Sequence, residues 1–223
     1  MLKIMRLVIM IFAVSAAALA ATKAINLHQI PGTKQVNVIT ESVTFKGRKA
    51  LKVMEPPANR ADREDKLVIL PVEFHDGTIE LEVSGGVAKD AIAGARGFVG
   101  VAFRAAPDAK KFECIYIRPT NGRATDMVRR NHSVQYISFP THPWQKLRKE
   151  EPEKYESYTD LQPDTWTKVK IVVAGTNARL YLHGNEQPTL IVDDLKMGDS
   201  TGALALWIGP GTEAHFANLR VTQ

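Results

Sequence analysis

Between Lys111 and Trp144 the chain reads KFECIYIRPTNGRATDMVRRNHSVQYISFPTHPW, a polar, cationic stretch that closes on a tryptophan. Arg118, Asn121, Arg123, Arg129, Arg130, Asn131 and His132 crowd into one segment whose sole acid is Asp126. Arginine and asparagine offer forked donors that match vicinal hydroxyls or a carboxylate, and a nearby Trp or Tyr packs on the apolar face of a sugar ring. That chemistry is recognition of a polar ring. Its candidate donors are Arg118, Asn121, Arg123 and Arg130, and its candidate aromatics are Tyr136, Trp144 and Tyr155. The competing use of these arginines is a solvated loop, paired with acids of the 149–156 segment.

His132 is the candidate general base, with Glu156 or Glu113 to orient it, since a carboxylate beside imidazole tunes it near neutral pH. The alternative is a hydrogen-bonded histidine with no reacting role, one of six scattered along the chain. No two of His28, His75, His132, His142, His183 and His215 have close metal-ligand spacing, so no transition-metal site is expected. Calcium held by backbone carbonyls and Asp side chains has no readable loop and stays open. No other cofactor is implied.

Such residues need a frame. Phe112–Ile117 and Ser133–Ser138 predict strands on either side of the polar segment, which makes the candidate site a loop carried by a rigid sheet. Residues 96–104 (RGFVGVAFR) are apolar on both faces, as in a central strand, and 105–110 turns them into the Phe112 strand as an antiparallel hairpin. Asp76-Gly77 signals a turn, after which Ile79, Leu81 and Val83 share one face and Glu80 and Glu82 the other. Residues 165–175 alternate likewise, with Val169, Ile171 and Val173 inward and Lys168 and Lys170 outward. Further strands are expected at 36–40, 43–46, 48–54, 66–70, 177–183, 190–192, 203–208 and 215–221. Trp166 and Trp207 fall in this framework as core residues.

Residues 21–34 read as a polar lead-in, 55–65 as a charged loop with two prolines, and 85–97 as a glycine-rich loop. The charge run 146–154 (KLRKEEPEK) reads as a solvated loop or one helical turn. Gly209-Pro210-Gly211 is a loop that either borders the site, with Glu213 as a rim acid, or simply connects strands. About a dozen strands and no amphipathic helix longer than two turns exclude an α/β fold. The expected class is all-β, a two-sheet antiparallel β-sandwich of jelly-roll type.

With 223 residues, 44% hydrophobic and 24% charged, the chain is long and apolar enough for one domain with its own core. Residues 1–20 stand apart. Lys3 and Arg6 precede the apolar run 7–14, and Ala18-Leu19-Ala20 forms a small-residue cleavage site, so 1–20 reads as a secretory signal and 21–223 as the domain. The run is too short to span a bilayer, and no cysteine near the cleavage point offers a lipid anchor. The expected location is periplasmic or extracellular. Without residues 1–20, 27 Lys and Arg face 24 Asp and Glu, too mild an excess for a nucleic-acid surface. Cys114, the sole cysteine, has no intrachain partner and reads as a small buried hydrophobe.

Four segments in order carry a resemblance: Trp166-Thr167-Lys168-Val169, Ala178-Arg179-Leu180-Tyr181-Leu182-His183-Gly184, Gly202-Ala203-Leu204-Ala205-Leu206-Trp207 and Phe216-Ala217-Asn218-Leu219-Arg220-Val221. Together they resemble the concanavalin A-like lectin/glucanase superfamily, and within it the 3-keto-disaccharide hydrolase type domain, over residues 74–222. Gly100, Val101, Phe103 and Arg104 match that family's glycine-hydrophobic-x-aromatic-arginine strand, and Phe112-Glu113 its aromatic-glutamate start. The resemblance implies a jelly roll, with Arg104 as a substrate-binding residue and Glu113 among the catalytic candidates. Phe98-Val99 stand where the family has Asn-Ser, and Ile115 and Arg118 where it has a Gln and an acid. Retaining glycosidases on this fold need carboxyls about 5–5.5 Å apart, carried on a Glu-x-Asp-x-Glu strand. Here Glu80 and Glu82 are followed by Val83-Ser84, and they read as solvent-facing acids on an edge or outer strand.

Three functions follow: an exported glycoside hydrolase, with a 3-keto-disaccharide among its substrates; a non-catalytic, lectin-like carbohydrate-binding module; and a protein-interaction domain using the same loops. The first two take a carbohydrate ligand. None calls for nucleic acid or a membrane span after signal removal, and the oligomeric state stays open.

Overall fold

The computed structural model describes residues 21–29, 31–57, 63–91 and 93–223. The expected export signal at 1–20 lies outside the described residues, as does part of the 55–65 loop. The chain opens with β1 (Thr22–Ala24), β2 (Lys34–Val36), β3 (Ile39–Phe45), β4 (Arg48–Met54) and β5 (Leu67–Phe74). It continues through β6 (Gly77–Val87), β7 (Val99–Ala105), β8 (Phe112–Ile117), α1 (Met127–Asn131) and β9 (Val134–Phe139). Next come α2 (Trp144–Glu150), β10 (Glu156–Ser157), β11 (Thr167–Ala174) and β12 (Asn177–Leu182). The last three strands are β13 (Leu190–Val192), β14 (Gly202–Ile208) and β15 (Thr212–Thr222).

The strands form two antiparallel sheets, one of eight in the order β13-β12-β11-β6-β15-β4-β3 with β1 also on β15, and one of seven in the order β10-β9-β8-β7-β14-β5-β2. Period-two alternation sets the register of the larger sheet. Ile79, Leu81 and Val83 of β6 lie beside Ile171, Val169 and Thr167 of β11, and all are buried. Each fully buried Val, Leu or Ile is worth about 1.5–3 kcal/mol, so a one-residue slip that turned them to water is strongly disfavoured.

The smaller sheet differs. All of β7 and β8 is buried on both faces, and β9 is buried up to Phe139. Val99 faces the other sheet, because a Cβ on Gly85 would lie 2.7 Å from its Cγ1. By alternation and register, Val101, Phe103, Glu113, Ile115 and Tyr136 also face inward. Gly100, Cys114, Tyr116, Gln135 and Trp207 face outward, away from the other sheet. Gly100 must lack a side chain, since a Cβ there would lie 2.4 Å from that of Tyr116. A second layer of loops and α2 covers this outward face.

Several expectations change. Of the two readings of the 146–154 run, the helical one holds for 146–150: α2 starts earlier, at Trp144, and buries Leu147, because the 144, 147 and 148 positions share a helix face. Gly85 and Gly86 belong to β6, paired with Ala214 and Glu213, since partner strands override the glycine signal. The lead-in contains β1, which pairs with the end of β15. The expected strands 36–40 and 43–46 give way to one, β3. Glu80 and Glu82 lie on an interior strand between β11 and β15; Glu80 is exposed, while Arg48 holds Glu82 through two 2.9 Å bonds.

Candidate functional site

The outward face of the smaller sheet starts with an aromatic floor. The Tyr116 ring lies 4.6 Å from that of Trp207 and 5.7 Å from that of Phe98, centroid to centroid. Trp207 Nε1 donates to the Glu64 carbonyl at 2.7 Å, which ties the loop before β5 to the floor. Glu55 accepts from Gly211 N at 2.7 Å and pairs with Lys66 at 3.1 Å, so the 209–211 turn is anchored beside it. Above the floor is an open cleft of about 370 Å³, walled by residues 93–95, Arg96, Phe98, Arg118, Trp144, Arg148, Pro210 and Glu64.

Arg118 is the central cation, with its side chain only 3% exposed. Its guanidinium carbon lies 5.1 Å from the Phe98 ring, 5.3 Å from Tyr116 and 5.7 Å from Trp144. Nη2 donates to Tyr116 Oη at 3.0 Å and to Gln135 Oε1 at 2.9 Å. Nη1 donates to Glu156 Oε1 at 3.1 Å and to the His132 carbonyl at 3.2 Å. Nε is buried with no hydrogen-bond partner. Trp144 and Arg148 sit one helical turn apart on α2, with the Arg148 guanidinium 4.7 Å from the indole.

Glu156, beside Gln135 at the sheet edge, is clamped between guanidiniums. Arg148 donates to it through Nε at 2.9 Å and through Nη2, Arg118 adds its 3.1 Å bond, and His132 Nε2 stands 3.5 Å away. Burial opposes the charge on Glu156. The Arg148 bond and the charges of Arg118, Arg148 and His132 outweigh it and hold the carboxyl below its ordinary range. Burial lowers the His132 imidazole, with Arg148 and Arg118 adding to the shift and Glu156 opposing it. His132 and Glu156 thus meet as expected, behind Arg118 and outside the residues that line the cleft.

The other candidates are dispersed. Asn121 is a strut: Nδ2 donates to the His132 carbonyl at 2.9 Å and Oδ1 accepts from Arg129 Nε at 2.9 Å. Arg123 is exposed and forms a fork with Asp160 at 2.6 and 2.7 Å. Arg130 lies on α1 and lines no part of the cleft.

Four candidates are buried in structural networks, which corrects the roles expected for them as groups meeting a ligand or reacting atom. Arg104, fully buried at a left-handed φ of 53°, spends its donors on the carbonyls of His75, Gly175 and Gly198 and on Asp76. Glu113 faces the core and accepts from Tyr136 Oη and Met197 N, both at 2.6 Å; burial pushes its carboxyl up against those bonds. It pairs with Ser138, at the far end of β9 from His132, and does not orient the imidazole. Tyr136 is consumed by that bond, and Tyr155 Oη donates to Asp194 at 2.7 Å.

Sequence reasoning missed Arg96, Phe98 and Arg148. Arg148 was findable as the i+4 neighbour of Trp144, had the helical turn been extended back to Trp144; Arg96 carries no signal beyond its glycine-rich surroundings. Among the described residues, His75, Asp76 and Asp199 form a potential metal-ligand group. The Arg104 guanidinium already occupies it, 2.9 Å from Asp76 and 3.6 Å from Asp199.

No family model matches the chain, and no curated protein matches it by sequence. Solved structures match it in fold. A carbohydrate-binding module from Bacillus subtilis aligns with a TM-score of 0.59 at 16% identity, over 86% of this chain and 96% of that one. A Bacillus subtilis protein of unknown function with a galectin-like fold aligns at 0.55 and 11% identity, over 86% and 89%. A Bacillus licheniformis β-glucanase aligns at 0.51 and 11% identity, over 94% of each chain. The likeness is one of architecture, and the chain has the concanavalin A-like jelly-roll fold.

Proposed function

We propose that this chain is an exported, non-catalytic carbohydrate-binding module that holds its saccharide in the cleft between Phe98, Arg118, Trp144 and Arg148. The observation that carries this reading is the convergence of aromatic walls and forked donors in an open cleft whose nearest buried carboxylate is already clamped. Sugar C–H faces pack on aromatic carbon, and hydroxyls accept from guanidinium N–H groups. Glu156, held ionised by Arg118 and Arg148, is poorly suited to protonate a leaving group. The jelly roll is also the architecture of a carbohydrate-binding module and a β-glucanase. Export is supported by the charge and hydropathy pattern of residues 1–20.

One observation favours a second reading. His132 Nε2 lies 3.5 Å from Glu156, an acid–base pair that a glycoside hydrolase, including one for 3-keto-disaccharides, could use. Titration of the purified protein with neutral, acidic and 3-keto oligosaccharides, with product release followed in the same samples, separates the two. Saturable binding without products, weakened about tenfold in a folded Trp144→Ala variant, supports the module. Turnover abolished by His132→Ala replaces it with the hydrolase. No binding to any saccharide overturns both.

A further inference from the structure

The cleft is more cationic than a neutral sugar requires. Arg96, Arg118 and Arg148 line it. Arg129 stands behind, bonded through Nε to Asn121 and through Nη2 to Thr120 rather than to an acid. The cleft lining holds one carboxylate, Glu64, against Arg96, Arg118 and Arg148, and Glu156 lies behind it. Glu156 is shared between Arg118 and Arg148. Arg96 has no carboxylate within ion-pair distance among the described residues. Partial burial and the charges of Arg129, Arg118 and Arg148 all disfavour its cation. Arg118, a residue of the cleft wall with its side chain 3% exposed, has a buried Nε without a hydrogen-bond partner. Guanidiniums gathered this closely disfavour one another's charge, and an anion seated among them relieves that repulsion.

We infer that the ligand is an acidic saccharide, whose carboxylate or ester sulfate lies among Arg96, Arg118 and Arg148 while its ring packs against Phe98 and Trp144. This rests on the cleft being a saccharide site. Arg96 is the anion-selective residue: it is exposed and outside the Glu156 clamp, so it can be changed without opening the core.

The test is affinity electrophoresis and calorimetry of the full protein against four polymers: polygalacturonate, its fully methyl-esterified form, dextran sulfate and dextran. The acidic polymers are expected to bind at least about tenfold more tightly than their neutral counterparts, with a preference weakened by added salt. Arg96→Gln is expected to reduce that preference several-fold with an unchanged melting temperature. Polygalacturonate and dextran sulfate distinguish a carboxylate from a sulfate ligand. Equal binding of neutral and acidic polymers overturns the inference but leaves the carbohydrate module standing; no binding of either removes both. Acidic binding that survives Arg96→Gln but is lost in Lys170→Gln or Arg220→Gln, on the opposite sheet, overturns this site.

Discussion

The outward faces of the two sheets carry charge in opposite ways. On the eight-stranded sheet, Glu82 is beside Lys168 and Glu80 is beside both Lys170 and Arg220. Signs alternate strand by strand, the groups are exposed or half-buried, and the hollow above them, about 610 Å³, is larger than the cleft on the other side. The seven-stranded sheet gathers guanidiniums over aromatic rings, buries one of them, and leaves them in excess of carboxylates. Room alone therefore does not mark a site. A ladder of exposed opposite charges is satisfied by its own members and by water, whereas a buried, unbalanced cluster has interactions left to make.

The largest expected effect separates the two faces by stability. Glu156→Ala strands the buried Arg118 without its carboxylate and should cost about 3–5 kcal/mol in chemical denaturation. Glu80→Gln on the exposed ladder should stay within about 0.5 kcal/mol of the parent. Equal costs would break the comparison. Next in size is ligand binding. Trp144→Ala should weaken saccharide affinity about tenfold, while Tyr181→Ala in the larger hollow should leave the titration unchanged. The smallest effect is on pH. The depressed carboxyl of Glu156 contributes stability that is complete above the ordinary carboxylate value of about 4.3 and is lost as pH falls below it. The depressed imidazole of His132 adds a loss that begins near its ordinary value of about 6.5 as pH falls. Denaturation midpoints from pH 8 to pH 3 should therefore drop in two stages, and Glu156→Gln should flatten the lower one.

The sandwich itself was legible because its inner faces alternate cleanly: β6 and β11 announce their buried residues two at a time. The cleft was only partly legible, because the smaller sheet is apolar on both sides and alternation cannot say which side meets a ligand. In β8, the polar residue Glu113 turns to the core, while Tyr116 faces outward and accepts from Arg118 beneath the cleft lining. A reading that sends polar residues to the site inverts that strand. Arg104 was misplaced because its left-handed backbone sends the guanidinium into carbonyls of neighbouring turns. Arg118 and Trp144 stood out because charge and aromatic surface combine there whatever the register, and both line the cleft, while His132 and Glu156 meet behind it.

Cys114 shares the outward face with Tyr116 and is completely covered by the second layer. Burial, reinforced by the charges of Glu64 and Glu113, pushes its thiol well above its usual range, so it reacts only when that layer lifts. The lone thiol is thereby a built-in clock. Its rate of labelling by a thiol reagent reports how often the cover over the cleft floor opens, and a saccharide seated in the cleft should slow it.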